Sequence, residues 1–146
     1  MFEHVHSIFV FVKTNTKSFR DSNFNVTKSI FDLFLVIWEI YKAECVAPES
    51  WIWTHAVRLG VEKMTDKKLA DKVATVLTEL CVVKEPKIVC SSILQNLDLV
   101  KAPPAHQNVL LWFNSFIADF GANTLGKELR IVTLWVLMVS LFRDIK

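Results

Sequence analysis

The stretch Asp21-Ser22-Asn23-Phe24-Asn25-Val26-Thr27-Lys28-Ser29-Ile30-Phe31 constrains this chain more than any other. A short polar turn opens directly into a long apolar helix. The same grammar returns twice. Lys63-Met64-Thr65-Asp66-Lys67-Lys68 leads into the apolar segment 69–80, and Lys101-Ala102-Pro103-Pro104-Ala105 leads into 109–120. The turns recur about every 40 residues, a period found in arrays with two helices per unit. With no strand signal between them, the expectation is a helical repeat whose turns line up along one edge and meet a partner there.

Hydrophobic periodicity predicts seven helices. The first spans 3–13, with Val5, Ile8, Phe9 and Val12 at i, i+3, i+4 and i+7. Val10-Phe11-Val12 is β-prone, so a strand is the competing reading there. The segment 14–21 is polar and reads as a loop. A helix over 23–42 follows, capped by Ser22 or Asn23, with Val26, Ile30, Leu33, Phe34, Ile37, Trp38 and Tyr41 on one stripe and Thr27, Lys28, Asp32 and Glu39 on the other sides. Pro48, in a first helical turn, starts the next helix. That helix runs to Lys63 and carries Trp51, Ile52, His55, Val57, Leu59 and Val61.

Thr65 is the expected N-cap of a helix over 66–82 with Leu69, Val73, Val76, Leu77 and Leu80 inward; Ala70 and Ala74 leave room for a neighbour. A helix over 86–99 begins at Pro86 and buries Ile88, Val89, Ile93, Leu94 and Leu97. Pro103-Pro104 enforces a stop after it. A helix over 105–120 buries Val109, Trp112, Phe113, Phe116 and Ile117 and ends at Gly121. The seventh covers 124–144. The first six pair as three hairpins. The seventh is apolar nearly all round, whereas the last repeat of a finished array needs a polar outer face. The expectation is therefore an all-α, HEAT-repeat α-solenoid, one domain over residues 1–146, cut from a longer array.

Bulk properties agree. Hydrophobic residues make up 52% of the 146 positions, enough for a core with apolar surface to spare for a contact. Three Gly and four Pro are too few for an all-β fold. Seventeen basic against 15 acidic residues give a net charge of +2, too balanced to point to nucleic acid. Cys45, Cys81 and Cys90 form neither a disulfide framework nor a metal pattern, and Cys81 and Cys90 fall on apolar stripes, which suits buried thiols in a reducing compartment. Asn25-Val26-Thr27 matches a glycosylation sequon but has no secretory context to give it weight. The N-terminus lacks a basic n-region, and its apolar run, 8–12, is too short for a signal peptide. The longest apolar run, 131–142, is too short to span a bilayer. A membrane-surface role for it would call for a basic face, which is lacking around that run.

Catalytic signatures are absent. There is no G-x-S-x-G, no phosphate-binding glycine loop and no H-E-x-x-H. His4, His6, His55 and His106 share no ligand spacing on a helix face. Asp32, Glu39 and Glu44 stand alone on helix surfaces. Neither an enzyme nor a cofactor or metal site is expected. Trp51 and Trp53, two apart on one helix, cannot share a face, so one is core and the other partly exposed.

Against that background three segments resemble TOG domains of the ch-TOG and mini spindles family of microtubule polymerases, most closely a middle TOG domain. Ser22-Asn23-Phe24-Asn25-Val26 resembles the second-repeat turn. The stretch from Val61 to Lys68, with Ala70, Lys72 and Ala74, resembles the "VDKIGD-K…AKEA" turn and helix of the third. Leu110-Leu111-Trp112-Phe113-Asn114-Ser115-Phe116-Ile117-Ala118-Asp119-Phe120-Gly121 is similar to the "TLNWLSNAIKEFG" helix of the fourth. Together they cover 18–121. The fourth-repeat turn of the family usually carries an "NPK" lysine; here the tripeptide is Ala102-Pro103-Pro104, with Lys101 beside it.

The resemblance implies a HEAT-repeat paddle whose turn edge contacts αβ-tubulin or microtubules, in the cytoplasm and on spindle, centrosome and other cytoskeletal structures. The implied contact residues are Asn23, Phe24, Lys63, Thr65, Asp66, Lys67, Lys68 and Lys101. The competing readings are helix caps and solvated lysines, and a scaffold without tubulin binding that contacts neighbouring repeats or another protein through 124–144.

Overall fold

Asn23 fixes where the helix that starts at Phe24 begins. Its side-chain oxygen accepts from the Asn25 amide at 2.9 Å, while its own backbone stays extended. That satisfies one of the donors a helix start leaves unpaired. The computed structural model describes residues 23–121 and Ser7, and every regular element among the residues described is an α-helix. The helices are α1 (Phe24–Ala43), α2 (Ser50–Lys63), α3 (Lys67–Val83), α4 (Pro86–Leu99) and α5 (Pro103–Phe120). The expected helices over 3–13 and 124–144 lie outside the described residues, apart from Ser7, which is helical.

Local chemistry moves several expected boundaries. Asp66, not Thr65, caps α3: its carboxylate accepts from the Lys68 amide at 2.8 Å, while the Thr65 hydroxyl donates back to the Glu62 carbonyl at 3.2 Å. Pro48 is buried but lies before α2, whose cap position is Glu49. Pro103 and Pro104 begin α5 rather than only ending its predecessor, because the amides they lack would be unpaired in a first turn anyway. Gly121 terminates α5 at φ 84°, where a side chain would be strained.

Helices α1, α3 and α5 form one layer and α2 and α4 the other. The closest packing joins α1 to α3, α2 to α3 and α2 to α4. Gly60 allows the α2–α3 approach: a Cβ there would stand 3.1 Å from Val73 Cγ1. The hairpin expected between 86–99 and the helix after it lacks such close backbone approach; α5 packs on α2 and α3 instead.

One continuous core fills the space between the layers. Phe31, Phe34, Trp38, Ile52, Leu77, Leu80, Ile93, Leu97, Phe113 and Phe116 are, with Met64, its largest fully buried side chains, and Trp53, Trp112 and Tyr41 are nearly as enclosed. The stripes predicted for α3 and α5 are buried as expected, save that Ile117 is half-buried. On α1, Phe31 and Thr27 are buried while Val26 and Leu33 are only half so. Thr27 is tolerated inside because its hydroxyl donates to the Asn23 carbonyl at 3.1 Å. On α2 the buried tryptophan is Trp53; Trp51 is half-exposed, and its indole N–H is engaged by Glu49. Ile88, expected inside, is 40% exposed in the first turn of α4.

Candidate functional site

Three helix starts share one edge of the molecule. Because α1 and α3 run in the same direction, their first residues meet: Lys68 Nζ stands 6.0 Å from the centroid of the Phe24 ring. Further along the same pair, Lys72 Nζ and Asp32 form an ion pair at 2.7 Å. The start of α5 is tied to the same edge, since Asn108 Nδ2 donates to the Met64 carbonyl at 2.6 Å across the α2–α3 turn. His106 Nε2 meets the Val100 carbonyl and fastens the turn before α5.

The eight candidate residues divide by what they do there. Asn23 and Asp66 are helix caps, and Thr65 is hydrogen-bonded to its own turn. Phe24 is 36% exposed and lies under Lys68. Lys67, Lys68 and Lys101 are exposed, and Lys63 is half-buried at the end of α2. The edge therefore offers a partner three solvated ammonium groups, a fourth partly covered one and one aromatic ring. Such a surface suits an acidic protein face, with charge setting the rate of encounter and the ring giving area. It supplies no nucleophile, acid–base pair or ligand set, and the residues described hold no metal-ligating cluster.

Sequence reasoning did not find Asn108 or Thr78. Asn108 joins two turns that are 44 residues apart, and Trp112 Nε1 donates to Thr78 Oγ1 at 2.9 Å from α5 to α3. Their only signal was a polar residue at the border of an apolar stripe.

The opposite edge differs. Lys84 Nζ stands 5.8 Å over the Trp53 ring, and Tyr41, Val46, Val82 and Val83 border a shallow hollow where α1 and α3 end. Burial, followed by the charge of Glu49, pushes the Tyr41 phenol above its usual range. No described helix is long and apolar enough to cross a membrane. Comparison with known proteins finds no matching family model, no matching curated protein and no matching solved structure.

Proposed function

We propose that this chain is a HEAT-type, TOG-like repeat module that binds αβ-tubulin or microtubules through the edge formed by Phe24, Lys63, Lys67, Lys68 and Lys101. The observation that carries the reading is the Phe24–Lys68 contact, which sets two successive turns side by side. Like-directed packing of α1 with α3, where Phe24 meets Lys68 and Asp32 meets Lys72, and of α2 with α4, whose starts meet at Trp53 and Ile88, supports the repeat reading, because each unit of such an array stacks on the next. The mechanism is non-covalent: the edge holds a tubulin dimer and raises its local concentration for a microtubule end. Cytoplasmic and cytoskeletal placement goes with that role.

One observation favours a second reading, a HEAT-repeat scaffold that contacts another protein. Ala102 is the cap position of α5 and Pro103 its first residue, so the third turn presents Lys101 as its one cation. Gel filtration of the full chain with unpolymerised tubulin at low salt separates the two. Co-elution supports the tubulin reading when joint charge reversal of Lys63, Lys67 and Lys68 removes it and helicity is unchanged. Co-elution that survives the reversal, or none in the wild type, favours the scaffold.

A further inference from the structure

The three helices of the first layer are not evenly packed. Between α1 and α3 the approach is close, whereas α3 and α5 stand apart and are bridged by side chains. Trp112 spans the gap to Thr78, and Asn108 closes its upper end at Met64. What remains is an open groove of about 310 Å³. Its floor is Ala70, Ala74 and Thr78, one short-chained row of α3, with Trp112 beside them. From Ala70 to Glu79 the groove runs roughly 14 Å, about two and a half helical turns.

The two walls differ in character. On the α3 side, Asp71, Thr75 and Glu79 form one i, i+4 row, with both carboxylates at the groove. Neither carboxylate has an ion-pair partner among the described residues; the cation on this helix that does pair, Lys72, is turned to Asp32 of α1. Lys67 lies one turn before Asp71 on the same row and makes no ion pair with it. On the α5 side the lip is Leu111, 57% exposed, followed by Ser115. Asp119, exposed, continues that row by one turn. No lysine or arginine among the described residues lines the groove.

From this we infer that the α3–α5 groove receives a short, basic, amphipathic helix of a partner protein. Small floor residues admit its backbone, Leu111 and the half-buried Ala70 and Ala74 give its apolar face something to cover, and Asp71 and Glu79 meet its Lys or Arg side chains. A straight channel between like-directed helices suits helix-in-groove recognition, and the unpaired carboxylates select the sign of the ligand's charge. The groove opens at the Met64–Asn108 end of the basic edge but shares none of the residues proposed there for tubulin, so separate substitutions test the two readings.

The probe is a fluorescent, helix-forming peptide with Leu and Arg at i, i+4 spacing, set against the same peptide with Glu for Arg, both titrated with the full chain. The cationic peptide binds at least about tenfold more tightly, and the preference shrinks as salt screens it. Joint Asp71→Lys and Glu79→Lys substitution reverses the preference, and Leu111→Asp weakens both peptides, while Glu39→Lys on α1 with Glu44→Lys at its C-cap changes neither. Equal binding of both peptides, or an unchanged preference after the groove reversal, overturns the inference. So does prior occupancy, tested by alkylating Leu111→Cys in a Cys45→Ser background without peptide. Protection in a monomer assigns the groove to the chain's residues outside 23–121, and protection in a dimer assigns it to a second copy.

Discussion

Phe24 and Lys68, the first residue of one helix and the second of another two helices later, sit 6.0 Å apart, ring centroid to ammonium. The contact is solvent-exposed, so it contributes only about 0.5–1 kcal/mol to folding. Phe24→Ala and Lys68→Ala should each lower stability by no more than about 1 kcal/mol, with a coupling near the bottom of the cation–π range. Tubulin affinity should fall by more than that in each variant if the pair faces the partner. An affinity loss that merely tracks the stability loss would remove the pair from the contact surface.

Charge reversal distinguishes an edge from general basic attraction. Lys63→Glu, Lys67→Glu and Lys68→Glu together should weaken tubulin binding, and the effect should shrink at higher salt because exposed charges are screened beyond roughly 8–10 Å. Lys42 and Lys87, exposed at the opposite edge, are the matched controls. Lys84 is a poorer one, since it covers Trp53 and its loss would also disturb packing. Equal losses from both edges would mean that no edge-specific site exists.

Trp112 tests how α5 is held. It is 3% exposed, packs edge-on against Phe113 and tilted against Phe116, and donates to Thr78. Trp112→Ala should cost about 3–5 kcal/mol in a urea titration followed by circular dichroism. Thr78→Val keeps the volume but strands a buried indole N–H, and should cost about 1–3 kcal/mol. Loss of less than about 1 kcal/mol in both would contradict the buried placement.

The sequence was most legible where one period ran unbroken. On α3 every predicted inward residue is buried, because a 17-residue helix with no Gly or Pro and one apolar stripe leaves a single register that hides Leu69, Val73, Val76, Leu77 and Leu80. It was least legible at helix starts. Thr65 and Asp66 are both good caps, and the choice between them depends on where α2 releases the chain, which no local propensity encodes. Ile88 was misplaced because the buried face of α4 runs through Val89, Cys90, Ile93, Leu94 and Leu97 and leaves Ile88 at its border. At the candidate edge, the lysines were visible as residues, but the meeting of Phe24 with Lys68 and the splaying of α3 from α5 belong to tertiary packing.

The three cysteines should react in two classes. Cys45 is exposed at φ 55°, just after α1. Cys81 and Cys90 are buried, and the hydrogen bond between them, together with burial, holds the Cys81 thiol far above its usual range. Since the thiolate is the nucleophile, native protein should give one fast thiol equivalent with a disulfide reagent and two more only on unfolding. Fast reaction of Cys81 in the folded protein would show that the α3–α4 contact opens readily.

Tyr41, the only tyrosine, reports on the junction of α1 and α2. Its phenol is held above the usual value, first by burial and then by Glu49. The unfolded chain therefore releases this proton first as pH rises. The stability linked to the neutral phenol is complete below about pH 10, the unfolded value, and is lost as pH climbs from there through the folded value. Tyrosinate absorbance should lag that of free tyrosine, and Tyr41→Phe should flatten the alkaline fall in stability. Titration at the free value would place the phenol in water.

Gly60 offers the sharpest test of how the two layers meet. It sits inside α2, where alanine would be about 1 kcal/mol better for the helix. A Cβ at this position would stand 3.1 Å from Val73 Cγ1 and 3.7 Å from Leu77 Cδ2. Val73 is fully buried and β-branched, so within α3 it has one strongly preferred rotamer and little freedom to withdraw. The clash should outweigh the propensity gain, and Gly60→Ala should destabilise. Removing the obstructing methyls reverses the balance: in a Val73→Ala background, Gly60→Ala should stabilise, by filling the space and favouring the helix. A double-mutant cycle followed by urea unfolding reads the change of sign directly. Should Gly60→Ala stabilise the wild type as much as it does Val73→Ala, then α2 and α3 are not in the contact described, and the approach between the layers is looser than Gly60 permits.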